Sequence, residues 1–206
     1  GGVNGAGGFG EVAIVDVGGA TTDVHSVAPG TPTARNVTLK GLPEPVAKRT
    51  VEGDLGVRVS AAALVEALGE DVVAAAAGVE RDDVRQRAAA LTKEPERLPQ
   101  TARERALDKA LAQAAAKTAM TRHVGTLEVR ATPLGLKRFQ VGKDLSALPV
   151  LIGTGGVIVH GGFAGDVLRA CLAESTATPA DAAMKGPGSN STRAACNEAA
   201  AGASGP

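Results

Sequence analysis

The sequence predicts an α/β chain in which an alanine-rich helical segment is inserted between two β-rich segments. Three observations predict it. Residues 11–57 carry short apolar, β-branched runs bounded by glycine and proline, the pattern of strands. Residues 58–123 carry apolar side chains at helical spacing among many alanines. Apolar, strand-like runs return at 125–131 and 148–154.

Taken in order, residues 1–10 (GGVNGAGGFG) are too glycine-rich to offset the entropy of ordering, and are expected to be a flexible end. EVAIVDV (11–17) reads as a buried strand. TDVHSVA (22–28) alternates and follows at once, so the two pair as a hairpin around Gly18, Gly19, Ala20 and Thr21. TARNVTL (33–39) is a third strand, stopped by Gly41 and Pro43.

Residues 58–69 place Ala61, Leu64, Val65 and Leu68 on one helical face, with Gly69 as the stop. Residues 71–77 and 80–91 are two further helices, the second rich in charge. The longest spans 101–122. Thr101 caps it, and Glu104 sits three residues later as in a capping box. Leu107, Leu111, Ala114, Ala115 and Thr118 mark its expected buried face.

Then come a strand at 125–131, a strong buried strand at 148–154, an apolar run at 157–159 and a helix over 165–173. Residues 174–206 are rich in Ala, Ser, Thr, Gly and Pro without period, and are expected to be a disordered, low-complexity tail. The expected organisation is therefore 1–10, 11–57, 58–123, 124–173 and 174–206.

Composition excludes several functions. The 206 residues suffice for a real core. Twenty-two basic and 22 acidic side chains cancel, leaving no basic footprint for nucleic acid or anionic lipid. Trp and Tyr are absent and Phe occurs three times, too few for a base-stacking platform. Cys171 and Cys196 cannot make a disulfide framework or a structural zinc site. No run reaches the roughly 18 apolar residues of a membrane span, and there is no signal segment. The expectation is a cytoplasmic chain without nucleic-acid or membrane partners.

Two glycine motifs carry candidate chemistry. Residues 5–10 match G-x-G-x-x-G, but the dinucleotide fingerprint needs a strand before it and a helix after it. Here a strand follows, so a flexible end is the preferred reading. The segment from Asp16 to Asp23 (DVGGATTD) is sharper. Gly18 and Gly19 permit close backbone approach and inward-pointing amides, a nest for phosphate oxygens. Ala20 lies in the same turn, and Thr21 and Thr22 add hydroxyls. Asp16 and Asp23 flank the turn, placed to hold Mg²⁺ through its waters. The alternative is a plain hairpin, although a plain hairpin needs only two turn residues.

In Glu52-Gly53-Asp54-Leu55-Gly56, Asp54 is a candidate cap for the helix that follows, whose first amides would suit an anion. Arg58 reads as a phosphate contact or as a solvated side chain. His25 lies two residues from Asp23 on one strand face, but a metal site needs more ligands than this pair. His123 ends the long helix, where a cation is favoured. His160 lines a turn, and Cys171 is a small buried hydrophobe.

At these residues a resemblance appears. DVGGATTDVHS resembles the second phosphate loop of the actin/hexokinase/heat-shock-chaperone ATPase superfamily, and VLIGTGGVIVHG (150–161) is similar to its adenosine motif. KRTVEGDLGVR (48–58), TPLG (132–135) and GKDL (142–145) narrow the resemblance to the MutL/GlmL family, over about residues 11–165. Those are accessory proteins of adenosylcobalamin-dependent glutamate (methylaspartate) mutase and related mutases.

The resemblance implies a partial actin-like ATPase (ribonuclease H-like) fold, ATP and Mg²⁺ as ligands, and a cobalamin-dependent mutase as partner. It implies adenosine binding by Gly153, Thr154, Gly155 and Gly156, and a cleft-facing role for Glu52, Gly53 and Asp54 beside the phosphates. The superfamily's first phosphate loop, an early Asp-x-Gly-Ser/Thr hairpin, is not in the chain. The expectation is thus an internal fragment that does not hydrolyse ATP alone. The rival readings are an ATP-dependent small-molecule enzyme, either a kinase or a hydantoinase/oxoprolinase-type hydrolase, and an actin-like filament protein. No isolated acid in 58–150 stands out as the general base the first rival needs.

Overall fold

The computed structural model of the chain describes residues 8–133 and 135–172. The expectations for 1–7 and for 173–206, Cys196 included, lie outside the described residues. The strands are β1 (Val12–Val17), β2 (Thr22–Val27), β3 (Val37–Lys40), β4 (Ala47–Glu52), β5 (Thr126–Thr132), β6 (Gly135–Val141) and β7 (Val150–Thr154). The helices are α1 (Ala61–Leu68), α2 (Glu70–Ala77), α3 (Arg81–Lys93), α4 (Ala102–His123), α5 (Gly156–Gly161) and α6 (Ala164–Leu172).

Two sheets form, one of order β4-β2-β1-β7 and one of order β3-β6-β5. β1 and β2 are the expected hairpin, antiparallel with Val17 opposite Thr22. β7 lies parallel to β1 on its other side, with Asp16 opposite Thr154. The first sheet is thus built from both β-rich segments, and so is the second, because β3 pairs in parallel with β6. The helical segment is an excursion between them.

Two strands escape the sequence pattern. β4 is an edge strand whose residues alternate exposed and half-buried, and β6 is mostly exposed. Their sequences, AKRTVE and GLKRFQV, are charged where a buried strand would be apolar. β3 begins later than expected, because Asn36 turns the chain with φ 63° just before it. The apolar 157–159 run lies in α5, directly after the glycines that follow β7.

The core lies between one face of the first sheet and α4. Ala13, Val15 and Val17 of β1 and Val24 of β2 are buried on that face. α4 packs on β1, β2 and β4, and also on α1, α2, α5 and α6. Surrounded in this way, α4 is buried over more than one stripe: Leu107, Ala110, Leu111, Ala112, Ala115, Ala116, Ala119 and Met120 all lie inside. Of the expected face, Ala114 and Thr118 are only half-buried. Its alanines let the helix approach several neighbours at once, and each fully buried Leu or Val contributes roughly 1.5–3 kcal/mol. The Thr101 cap forms as expected: the Glu104 N–H donates to Thr101 Oγ1 at 3.1 Å, and the Thr101 N–H donates to the Glu104 carboxylate at 3.1 Å.

Asp54 does not cap α1. The N-cap is Ser60, six residues on, because the turn after β4 runs through Leu55–Val57 before the helix begins. Nor is His123 a solvated cation at a helix end. It is fully buried, its Nε2 2.8 Å from Ser26 Oγ and its Nδ1 2.9 Å from Thr50 Oγ1. Burial, then the charges of Lys48 and Lys143, push it down to about 4, so it is neutral. Cys171 is buried in α6, as expected.

Candidate phosphate-binding site

The turn between β1 and β2 closes on itself, with the Gly18 N–H donating to the Thr21 carbonyl at 2.9 Å. Its other carbonyls are held from one side by the segment before α1. The Val57 N–H donates to Gly18 O at 3.1 Å, the Arg58 N–H to Gly19 O at 2.9 Å, and Ser60 Oγ to Ala20 O at 2.8 Å. A trans peptide is planar, with its C=O and the following N–H on opposite sides. Pinning the carbonyls of residues 18, 19 and 20 inward therefore turns the N–H groups of Gly19, Ala20 and Thr21 outward. None of these three meets an acceptor among the described residues. Successive unbonded amides facing one way are an anion nest.

Gly56 makes this clasp possible, since a Cβ there would collide with the Ala20 carbonyl. That is the physical reason for the last glycine of EGDLG.

Asp16 and Asp23 are directly opposite in the β1–β2 register. Both lie on the sheet face away from α4, with Ile14 and His25 next along. Asp23 Oδ2 accepts from Arg49 Nη2 at 3.2 Å, while its Oδ1 is buried without a hydrogen-bond partner among the described residues. Thr154 is the cross-strand neighbour of Asp16 on the β7 side. Gly155 follows at φ 100°, where a Cβ would collide with the Val17 carbonyl and come within 2.9 Å of Asp16 Oδ1. The two glycine motifs, far apart in sequence, thus meet at the ends of adjacent parallel strands.

Other expected site residues lie differently. Thr22 is fully buried and its hydroxyl donates to Leu55 O at 2.7 Å, so it fastens the fold. Gly153 opposes Val15 on the helix-covered face, where a Cβ would lie 3.0 Å from Leu168 Cδ2. Gly156 opens α5 and is exposed. Glu52 is the partner of Thr22, on the face opposite to Asp16 and Asp23. Gly53 is exposed. Glu52 and Asp54 together hold Arg122 of α4, at 2.6 Å from Glu52 Oε2 and at 2.8 and 2.9 Å from the Asp54 oxygens. The hydrogen bonds from Arg122 hold the Asp54 carboxyl below its ordinary value. His25 shares the face of Asp23, but no group of three His, Cys, Asp or Glu side chains suited to a metal occurs among the described residues. His160 is exposed on α5.

Of the residues that organise the turn, Gly56 and Arg58 lie in the KRTVEGDLGVR segment, while Ser60 carries no motif of its own. Arg58 meets Asp108 and the Gly19 carbonyl.

Together these elements define a mixed α/β protein built on a strand–glycine turn–strand hairpin, with a second glycine turn beside it. The chain belongs to the MutL protein family: the family model of that description matches residues 4–186. It is 46% identical over 163 residues to Protein MutL of Clostridium tetanomorphum, an alignment covering 79% of this chain and 35% of that relative. The chain thus spans about a third of the length of the curated relative it matches. No solved structure matches it. No helix among the described residues is long and apolar enough to cross a membrane.

Proposed function

We propose that the chain supplies the phosphate turn of an ATP-dependent accessory protein serving an adenosylcobalamin-dependent glutamate (methylaspartate) mutase or a related mutase. The observation that carries the ligand half of this reading is the outward set of Gly19, Ala20 and Thr21 amides. Family membership supports the mutase half. An actin-like ATPase fold accords with the hairpin, the parallel β1–β7 pair and the helical excursion between them.

In this reading the phosphates lie on the three amides. The Gly155–Gly156 turn, adjacent to Asp16, takes the adenosine side. Asp16 and Asp23 fit Mg²⁺ bound through water: they are like charges directly across the two strands, Arg49 meets only Asp23 Oδ2, and Asp23 Oδ1 lacks a partner among the described residues. The metal would neutralise phosphate charge. Nucleotide binding would then bias the contact with the mutase, as nucleotide-held elements do elsewhere.

The test is binding of ATP–Mg²⁺ by the protein, followed by calorimetry. Asp16→Ala and Gly18→Val are expected to abolish it, and unchanged affinity would refute the phosphate-turn reading. A pull-down against a cobalamin-dependent mutase that yields no nucleotide-sensitive complex would refute the accessory role.

A further inference from the structure

We propose that Arg58 is a positioning residue for the glycine turn, tying it to the helices through the buried carboxylate of Asp108. The proposal rests on the reading of that turn as a phosphate site.

Asp108 lies within α4, 3% exposed, beside the buried Leu107, Ala110, Leu111 and Ala112. A carboxylate in such a place is costly unless it is paired and hydrogen-bonded. Arg87 of α3 supplies most of that need, although its Nη1 also reaches Glu104 Oε1 at 3.2 Å. Its Nε reaches Asp108 Oδ1 at 3.1 Å, and its Nη2 reaches Oδ1 at 3.0 Å and Oδ2 at 3.1 Å. Arg58 adds one more bond, from Nη2 to Asp108 Oδ2 at 2.9 Å. Both oxygens of the carboxylate are already hydrogen-bonded without it. The consequence of the Arg58 bond therefore falls on the other end of Arg58.

That end is the turn. The Arg58 N–H donates to Gly19 O, and its side-chain stem crosses Gly19, where a Cβ would lie 3.3 Å from Arg58 Cβ. Anchoring the guanidinium on α4 stretches this stem over the turn and holds the Val57 and Arg58 amides against the Gly18 and Gly19 carbonyls. Those carbonyls set the direction of the outward amides. A second observation separates Arg58 from an ordinary structural arginine: its Nη1 is buried with no hydrogen-bond partner among the described residues. A buried donor normally finds a partner, so this end of the guanidinium is not placed by hydrogen bonding to the helices.

The test compares Arg58→Met with Arg87→Met. Each leaves Asp108 with one arginine, so each is expected to fold, as circular dichroism checks. Two readouts follow. The first needs no ligand: amide hydrogen exchange at positions 57 and 58, the donors to the turn. Arg58→Met is expected to speed it at least tenfold, and Arg87→Met to leave it within twofold of the parent. The second is ATP–Mg²⁺ affinity, expected to fall at least tenfold in Arg58→Met alone.

Equal exchange in the two variants, or unchanged exchange in Arg58→Met, overturns the proposal. So does unchanged affinity in Arg58→Met when the parent binds. If exchange behaves as expected but the parent binds no ATP–Mg²⁺, the tie between Arg58 and the turn is upheld and the phosphate reading fails.

Discussion

Asp16 and Asp23 face each other as cross-strand partners in the β1–β2 hairpin, one on each side of a four-residue turn. Like charges in that relation destabilise a sheet, and Arg49 on Asp23 offsets this only in part. Asp16→Asn is therefore expected to raise the thermal midpoint of the ligand-free protein slightly, while removing the stabilisation that added ATP–Mg²⁺ provides. Melting curves with and without the ligand check both signs. A variant that loses stability without ligand and keeps the ligand response would contradict this account of the pair.

Gly155 joins the two glycine motifs. Its φ of 100° is one that side chains rarely adopt, and a Cβ there would run into the Val17 carbonyl and the Asp16 carboxylate. Gly155→Ala is expected to cost about 1–3 kcal/mol from backbone strain alone, with more from the collision. Urea denaturation measures it. Gly156→Ala, where a Cβ meets open space, is the comparison and is expected to cost far less.

His123 makes stability depend on pH. Its folded value is about 4 against an ordinary 6.5. Between those values the unfolded chain binds the proton and the folded one does not, so stability falls as pH drops from about 6.5 towards 4. The full loss is roughly 3 kcal/mol, at 1.36 kcal/mol per unit. Urea midpoints at pH 7 and pH 4.5 test this, and His123→Gln is expected to flatten the dependence in that window.

The cap at Thr101 is a local feature. Thr101→Ala is expected to cost about 0.5–2 kcal/mol, and to leave nucleotide affinity unchanged, because the α4 N-terminus carries no site residue. Chemical denaturation together with a binding isotherm separates the two effects.

Much of the fold was legible because local chemistry decides it. The β1–β2 hairpin followed from two apolar runs flanking a glycine turn. The start of α4 followed from Thr101 and Glu104, which bond to each other's backbone within one turn. The helix α1 followed from Ala61, Leu64 and Val65 at helical spacing, and all three are buried. β4 and β6 were not legible, since an exposed strand has no need of an apolar pattern and is specified by its partner. His123 was misread for a related reason. Its position at a helix end suggested a cation, while its surroundings come from β2, β4 and the segment after β6, which only the assembled fold brings there.

The sequence by itself determined the family of this chain, its α/β class and the glycine turn with its two flanking aspartates. Each is written in contiguous residues, whose backbone freedom and spacing act locally. Only the tertiary structure decided which way the turn's amides point, because Val57, Arg58 and Ser60 hold the carbonyls from a segment more than 30 residues away. It also decided that Thr22 faces inward, that Glu52 and Asp54 hold Arg122, and that Gly155 lies against Asp16. These are consequences of sheet register and helix packing, in which the deciding atoms belong to distant parts of the chain.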